Sequence, residues 1–507
     1  MSATDTTNEP ADHAGGGPPG SFLRRRATAA AAVPLAVLVC LLAVRTGCNV
    51  AYPFALDPGE GTVLASAWEA AEGRPVYNAV GKPPWVVTVY NPLFIYLGAW
   101  AFDIAGPVPA AVRAVAVLFL AGTTVLIYLI VLRETRLPKA ALVAALFFFA
   151  SRPFYIRAGY AVTDYPGLFF SLAGLLLWRK GGRARIAALA AFALAFMSKQ
   201  SFLAAPAAAF LSLVLEGKRR ETILLFALFA AITGACVAAC GLVFGQPYFT
   251  NALYYARVTP FHALRGLHRL ALAAAFAPVI LAGWAVLAWQ ARRTGSLILP
   301  AAYVLFGLLV GLAAGSVGSS IAYFFDLAAA LSIVCGLLWA RALAAFEGSW
   351  ARTAAALAAF QLAVTAAGVL PVAPRRMPWS NVKPLGNKTA RDLAEDRAVA
   401  GAFRTGTGIV FHRAAGYAIG TRAVEAANDA YKLKQLIGEG VLPADLFTQP
   451  IRNRAFSTII VPKDEGPWHL FSEQLHEAIE EHYVLDHESA NHLFYVPRMP
   501  ATGGAPG

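Results

Sequence analysis

Two carboxylates in one short turn, Asp57 and Glu60 of Leu56-Asp57-Pro58-Gly59-Glu60-Gly61, directly follow the first long apolar run, Ala27 to Val50. A carboxylate beside a membrane segment is expensive to keep out of water, so its presence calls for a reason. Asp164 in Tyr160-Ala-Val-Thr-Asp-Tyr-Pro-Gly and Asp326 after Tyr323-Phe-Phe stand at the ends of other apolar runs. Such carboxylates, with Arg and Lys nearby, suit a displacement at a sugar anomeric carbon. The acceptor hydroxyl must lose a proton, which a carboxylate within hydrogen-bond reach can take. The leaving group is then a phosphate on a lipid, whose developing charge needs Arg or Lys donors in a low-dielectric pocket. On this reading Asp57, Glu60 and Asp164 are the candidates for catalysis. Lys82, Tyr90, Arg157, Lys199, Arg257, Arg265, Tyr323 and Asp326 are the candidates for substrate binding.

Each has a plainer reading. Asp57-Pro58-Gly59-Glu60 has the form of a capping box, with Asp57 at the N-cap and Pro58 at the first helical position. Asp164 can simply start a helix, and Lys199 can be a turn lysine. Arg257 and Arg265 can meet lipid headgroups, and Asp326 can pair with one of the arginines.

The elements that must hold these residues are membrane spans. The chain has 507 residues, 58% of them hydrophobic and only 14% charged. Soluble proteins carry about 25% charged residues, so this is a polytopic membrane protein. The net charge of +13 does not imply nucleic acid, because Arg and Lys sit in short clusters between apolar runs. That is the pattern that orients spans. Cys40, Cys48, Cys236, Cys240 and Cys335 all lie in apolar segments, which argues against a disulfide framework or a thiolate metal site. No metal and no cofactor are expected.

Residues 1–20 are rich in Gly, Pro, Asp and Thr and, with Arg24-Arg25-Arg26, predict a disordered cytoplasmic tail over 1–26. A first span near 28–48 leaves those arginines inside and puts Asp57 outside. The first outer loop, 49–109, contains a helix near 60–72 and the apolar stretch Tyr90 to Phe102. With 13 residues that stretch is too short to cross and is assigned to the outer surface. Ten further spans follow, near 110–132, 138–152, 165–178, 185–198, 201–215, 221–244, 270–291, 296–314, 321–341 and 352–371. They carry Arg133, Arg136, Lys139, the cluster Arg179 to Arg185, Lys218-Arg219-Arg220, Arg292-Arg293 and Arg341 to the cytoplasmic side. The expectation is about eleven spans in a cell membrane, with the site and the carboxyl end extracytoplasmic. Residues 27–371 form the membrane domain. Its short spans, Tyr165 to Trp178 and Ile186 to Ser198, call for a water-filled recess at their outer ends.

From Pro371 the composition becomes that of a soluble domain, and 372–507 predict a small extracytoplasmic α/β unit. Phe456 to Val461, Tyr483 to Leu485 and His492 to Val496 read as strands, and Trp468 to Glu480 as an amphipathic helix.

At these residues the chain resembles the GT-C-type membrane glycosyltransferases, in the branch of protein O-mannosyltransferases and lipid A aminoarabinose transferases. The acidic first-loop motif is Asp57-Pro-Gly-Glu60-Gly, followed by Ala67 to Gly73-Arg-Pro-Val-Tyr77. The branch's Tyr-x-Pro-Leu segment appears as Tyr90-Asn-Pro-Leu93, its following arginine as Arg113, and its second-loop aspartate as Asp164. The Lys-Gln pair is Lys199-Gln200, and the late Asn-Tyr-Phe-Leu-Glu motif survives in part as Ala322-Tyr-Phe-Phe-Asp326. The split acidic pair leaves open which carboxylate is the base, and Ala322 replaces the motif's asparagine. The resemblance implies a GT-C-like fold and an inverting glycosyltransferase. It would move a sugar from a polyprenyl-phosphate donor to an envelope acceptor (lipid, polysaccharide or protein), with membrane lipid as a further partner and the first-loop aspartate as base. The alternative from another class is a transporter or flippase. It is disfavoured by the absence of an internal repeat and by charges gathered at one face.

Overall fold

The computed structural model describes residues 19–294, 297–345, 351–369, 388–464 and 470–499. Residues 1–18 of the expected tail, the domain start at 372–387 and Trp468 lie outside the described residues.

Apolar runs become helices, several of them opened by a proline at the first position, where its missing N–H has no partner to lose. Helix α1 (Pro19–Ala51) already takes in Arg24 to Arg26, which were expected in the tail. Then come α2 (Pro58–Ala71), α3 (Leu93–Ala105), α4 (Pro109–Thr135), α5 (Pro138–Ala150), α6 (Arg152–Arg157) and α7 (Asp164–Trp178). The series continues with α8 (Ala184–Ser198), α9 (Ala204–Leu215), α10 (Arg219–Phe244) and the single turn α11 (Gln246–Tyr248), which runs into a π-helical stretch, Phe249–Tyr255. After α12 (Ala263–Ala275) and α13 (Pro278–Thr294) come α14 (Ile298–Gly311), α15 (Phe325–Ala345) and α16 (Ala351–Val369).

Five described helical segments are long and apolar enough to cross a membrane: Ala32–Ala51, Pro109–Thr135, Arg219–Phe244, Ile298–Gly315 and Ile321–Ala345. The pair α12 and α13 makes a sixth if counted as one span. It is not the straight span expected near 270–291, because its halves meet at 96°. Pro278 has no N–H to continue the α12 ladder, and the break falls just before it. The protein is a polytopic helical membrane protein.

Helix ends that carry basic clusters lie side by side. Arg179 at the end of α7 pairs with Glu134 at the end of α4 at 2.7 Å, and Arg133 Nη2 donates to the Arg179 carbonyl at 3.0 Å. Arg185 in α8 pairs with Glu221 in α10, and Arg341 of α15 donates to Gln290 of α13 at 2.8 Å.

The C-terminal region holds α17 (Ala390–Thr405), β1 (Ile409–Phe411), β2 (Val424–Glu425), α18 (Ala430–Gly438), α19 (Thr448–Arg452), β3 (Thr458–Pro462), α20 (Glu473–His482), β4 (Tyr483–Glu488) and β5 (His492–Pro497). Sheet order is β2-β1-β3-β5-β4, parallel across β2-β1-β3 and antiparallel across β3-β5-β4. Three strands match the sequence reading. β1 and β2, of three and two residues, are too short to leave an alternation in the sequence.

This small sheet is stitched to the segment between α2 and α3. Trp85 pairs with Ala427 in a parallel bridge beyond β2, and the Trp85 ring is buried against Phe411, Phe447 and Phe456. Buried Asn428 accepts from Val87 N at 2.8 Å and donates to Ser66 Oγ at 3.2 Å. A second contact falls beside the acidic turn. The loop Ala414 to Ala418 is held by Glu425, whose Oε1 accepts the Gly416, Tyr417 and Ala418 amides at 2.6, 2.7 and 3.1 Å. Gly416 there has φ +98°, a backbone region open to glycine, and it packs on Gly61. A methyl group at Gly61 would run into the Ala415 carbonyl, whereas one at Gly59 would meet only Asp57 Oδ1 at 3.4 Å.

Two outcomes follow from this contact. Gly61→Ala lowers the melting temperature and Gly59→Ala changes it little, in thermal unfolding of the detergent-solubilised protein. Burial pushes the Glu425 carboxyl up to about 7 against the pull of its three amide donors. A carboxyl raised in the folded state contributes stability that is complete below its ordinary value near 4.5 and is lost as pH rises through about 7. Glu425→Gln keeps the amide contacts without that charge. It should therefore melt above the unsubstituted protein at pH 8, with the gap closing at pH 5; a gap of equal size at both would contradict this origin.

Candidate active site

Glu60 and Asp57 part company in the structure. Glu60 is fully buried and forms an ion pair with equally buried Arg113 of α4. Its Oε1 accepts from Arg113 Nε at 2.9 Å and from Ala161 N at 2.7 Å. Its Oε2 accepts from Arg113 Nη2 at 2.9 Å and from Leu56 N at 2.7 Å. Arg113 also donates to the carbonyls of Tyr52 and Phe54. Every lone-pair direction of this carboxylate is used, which leaves no room for a substrate proton. The pattern is close to a capping box, but Glu60 reaches the Leu56 amide rather than the N-cap amide.

Asp57 is the N-cap of α2, its Oδ1 accepting from Glu60 N at 2.8 Å. Its Oδ2 pairs with Arg157 at the end of α6, and the side chain remains 28% exposed. Arg157 also lies in the field of Asp164 and sits 5.0 Å from the Tyr160 ring. Burial works against the Arg157 charge, yet Asp57, Tyr160 and Asp164 together hold its pKa above the ordinary value. Asp164, at the start of α7, pairs with Lys199 Nζ at 2.7 Å. Lys199 lies over the Tyr323 and Tyr90 rings, at 5.2 and 5.9 Å. Its burial likewise opposes the charge, and Asp164, Tyr323 and Tyr90 outweigh it, so the ammonium is held above its usual range. Asp326 is buried at the start of α15, accepts from Tyr303 at 2.7 Å and faces the charge of Asp164.

Packing fixes these positions. Phe325 stacks on Phe154 at 4.5 Å and on Tyr165 at 5.6 Å, clamping α15, α6 and α7 together. Tyr165 also donates to the Arg157 carbonyl at 2.6 Å. Asn91 of Tyr90-Asn-Pro-Leu93 donates to the Phe196 carbonyl at 2.7 Å and accepts from Tyr248 at 2.9 Å, fixing the end of α8 that carries Lys199. Gln200 completes the lock with donations to Val89 and Ala252 carbonyls.

Of the eleven residues singled out in the sequence, Asp57, Glu60, Arg157, Asp164, Lys199, Tyr90, Tyr323 and Asp326 are linked by these contacts and fields. Lys82, Arg257 and Arg265 are not joined to the cluster by any described hydrogen bond or ion pair, and Lys82 and Arg257 are exposed. Composition and spacing gave no weight to Arg113, Asn91 or Asn428. For Arg113 the signals available were its place after Tyr90-Asn-Pro-Leu93 in the family resemblance and its standing as a lone arginine within an apolar run. Among the described residues no group of three or more His, Cys, Asp or Glu could hold a metal ion.

The fold is shared with solved enzymes that are at most 14% identical in sequence. The chain is similar to ArnT from Cupriavidus metallidurans bound to undecaprenyl phosphate, with TM-score 0.60 and 12% identity over 94% of this chain and 99% of that one. The apo state of the same enzyme gives TM-score 0.57 at 12% identity, over 91% and 97% of the two chains. The apo oligosaccharyltransferase of Archaeoglobus fulgidus gives TM-score 0.51 at 14% identity, over 92% of this chain and 74% of that one. Residues 80–205 match the family model of dolichyl-phosphate-mannose-protein mannosyltransferase. No curated protein sequence matches the chain.

Removing one partner of a buried ion pair strands the other, at about 3–5 kcal/mol. Arg113→Leu and Glu60→Leu should each destabilise the protein by about that amount. The double variant loses clearly less than the sum of the two, because neither charge is left alone. Chemical unfolding in detergent checks this, and strict additivity would contradict the pairing.

Proposed function

We propose that the chain is an inverting glycosyltransferase. It moves a sugar from a polyprenyl-phosphate donor to an acceptor of the cell envelope, at the outer face of the membrane. The carrying observation is that Asp57 pairs with Arg157 and Asp164 pairs with Lys199, with Arg157 also in the field of Asp164. A partly exposed carboxylate, Asp57, is paired with one cation, Arg157, on a GT-C fold.

In this reading the acceptor hydroxyl oxygen attacks the anomeric carbon from the face opposite the phosphate. Asp57 takes the hydroxyl proton, the carbon–oxygen bond to phosphate breaks, and polyprenyl phosphate departs with that electron pair. Arg157 and Lys199 receive the developing phosphate charge, in a setting where fixed donors need no reorganisation. Asp164 keeps Lys199 charged and aimed, and Tyr90 and Tyr323 flank the ammonium and line the sugar's path. Asp326 helps set the field around Asp164. Glu60 acts through position alone, holding the turn that presents Asp57. Lys82 stands at the rim of the first loop, able to meet an incoming donor. No metal is assigned to the step.

The membrane arrangement proposed with it has eleven crossings: α1, α4, α5, α7, α8, α9, α10, α13, α14, α15 and α16. The pairing of Arg179 with Glu134 and of Arg185 with Glu221 supports one common cytoplasmic side for the basic clusters. Residues 27–371 then form the catalytic body, with 49–109 as its first outer loop. Residues 372–507 form an extracytoplasmic domain that presses the acidic turn into place.

Asp57→Asn, which keeps a side-chain acceptor at the N-cap, should lower transfer by about 100- to 10,000-fold, the usual range for a lost general base, in a protein that still unfolds cooperatively. Transfer is scored as release of polyprenyl phosphate from a panel of radiolabelled polyprenyl-phosphate sugars by the protein in lipid. Lys199→Gln should lower both donor affinity and turnover. Full activity in a folded Asp57→Asn protein would remove this mechanism.

A further inference from the structure

Most charged side chains near the site have protein partners; Lys82, Arg257 and Arg265 are exceptions, and the last two fall on one segment. Among the described residues neither Arg257 nor Arg265 has a hydrogen-bond or ion-pair partner. Arg257 precedes α12 and Arg265 lies in its first turn, and α12 meets α13 at 96°. Because α13 enters the bilayer, a helix at right angles to it lies along the membrane surface. One side of α12 is held by the protein: Gly266 packs on the Leu312 carbonyl, and Arg269 donates to Ala314 and Ser319 oxygens at 2.9 and 3.1 Å. The other side is uncovered and mostly apolar, with Leu264 82% and Leu267 54% exposed and His268 exposed beside them. Phe261 and Tyr254, just ahead of the helix, are exposed as well. Facing water, this would be an apolar patch without a function. Facing lipid, it has the form of an interfacial helix, with aliphatic side chains in the acyl boundary and basic ones at headgroup level.

We propose that the segment Tyr254 to Ala275 is a binding site for anionic phospholipid, Leu264 and Leu267 seating its acyl chains and Arg257 and Arg265 its phosphate. The site is separate from the one assigned to transfer, and it anchors the loop that follows the π-helical stretch Phe249–Tyr255. Through Lys432 of α18, whose Nζ donates to the Val258 carbonyl at 2.6 Å and to Thr259 at 3.0 Å, that loop also holds the C-terminal domain. The bound lipid would thus fix the outer domain to the bilayer.

The test uses the full chain in nonionic detergent. Binding of short-chain phosphatidylglycerol, short-chain phosphatidylcholine and a polyprenyl phosphate is measured by native mass spectrometry. Arg257→Gln/Arg265→Gln should weaken phosphatidylglycerol about 30-fold, a factor of roughly five for each surface cation near an anionic headgroup. Affinity for phosphatidylcholine and for polyprenyl phosphate stays unchanged, and Arg257→Lys/Arg265→Lys restores most of the lost binding. Unchanged phosphatidylglycerol affinity in the glutamine variant would overturn the proposal, as would equal loss for both phospholipids. A parallel loss of polyprenyl phosphate would overturn it too, by placing the two arginines in the donor site.

Discussion

The buried pair of Glu60 and Arg113 is the constraint on which the outer half depends. An unpaired charge at that depth would cost several kcal/mol, and the pair offsets this only because its remaining hydrogen-bonding positions are filled. They are filled by backbone groups from two places: Tyr52, Phe54 and Leu56 before α2, and Ala161 before α7. One ion pair therefore ties the end of α1, the start of α2, the start of α4 and the segment between α6 and α7. The acidic turn has a single position available to it, and Asp57 is displayed from that position.

The same separation of duties explains why two acidic residues three apart behave differently. Glu60 has four donors and no exposure, so its role is to hold. Asp57 has one backbone donor and one arginine, and part of it remains open. Around it the cations are kept charged by carboxylates rather than by solvent. A phosphate entering this hollow would meet donors already oriented, and would compete with Asp57 and Asp164 for them. The C-terminal sheet adds a second restraint from above, through the Glu425-held loop resting on Gly61.

Most of the helical framework was legible because its signals are strong: long apolar runs, prolines at helix starts, basic clusters at one set of ends. The helix-opening residues Pro58, Pro109 and Pro138 fall where the sequence places them. The 96° bend before Pro278 was not legible, since the apolar run passes through it without a change of composition. The strands β1 and β2 escaped for want of length, and their pairing with Trp85 depends on residues more than 300 positions away. At the site, residue types pointed to Asp57, Asp164, Arg157 and Lys199, but pairwise partners are a tertiary property. Whether Asp57 or Glu60 keeps an open oxygen could be decided only once Arg113 was seen to occupy Glu60.

The central claim is that this hollow receives a lipid-linked phosphate between Arg157 and Lys199, within reach of Asp57. The most direct measurement is an experimental structure of the full chain in lipid with a polyprenyl phosphate bound. The account predicts phosphate density within hydrogen-bond distance of both cations, with the Asp57 carboxylate beside it. Phosphate held elsewhere, with Arg157 and Lys199 still engaged only by their carboxylates, would contradict it.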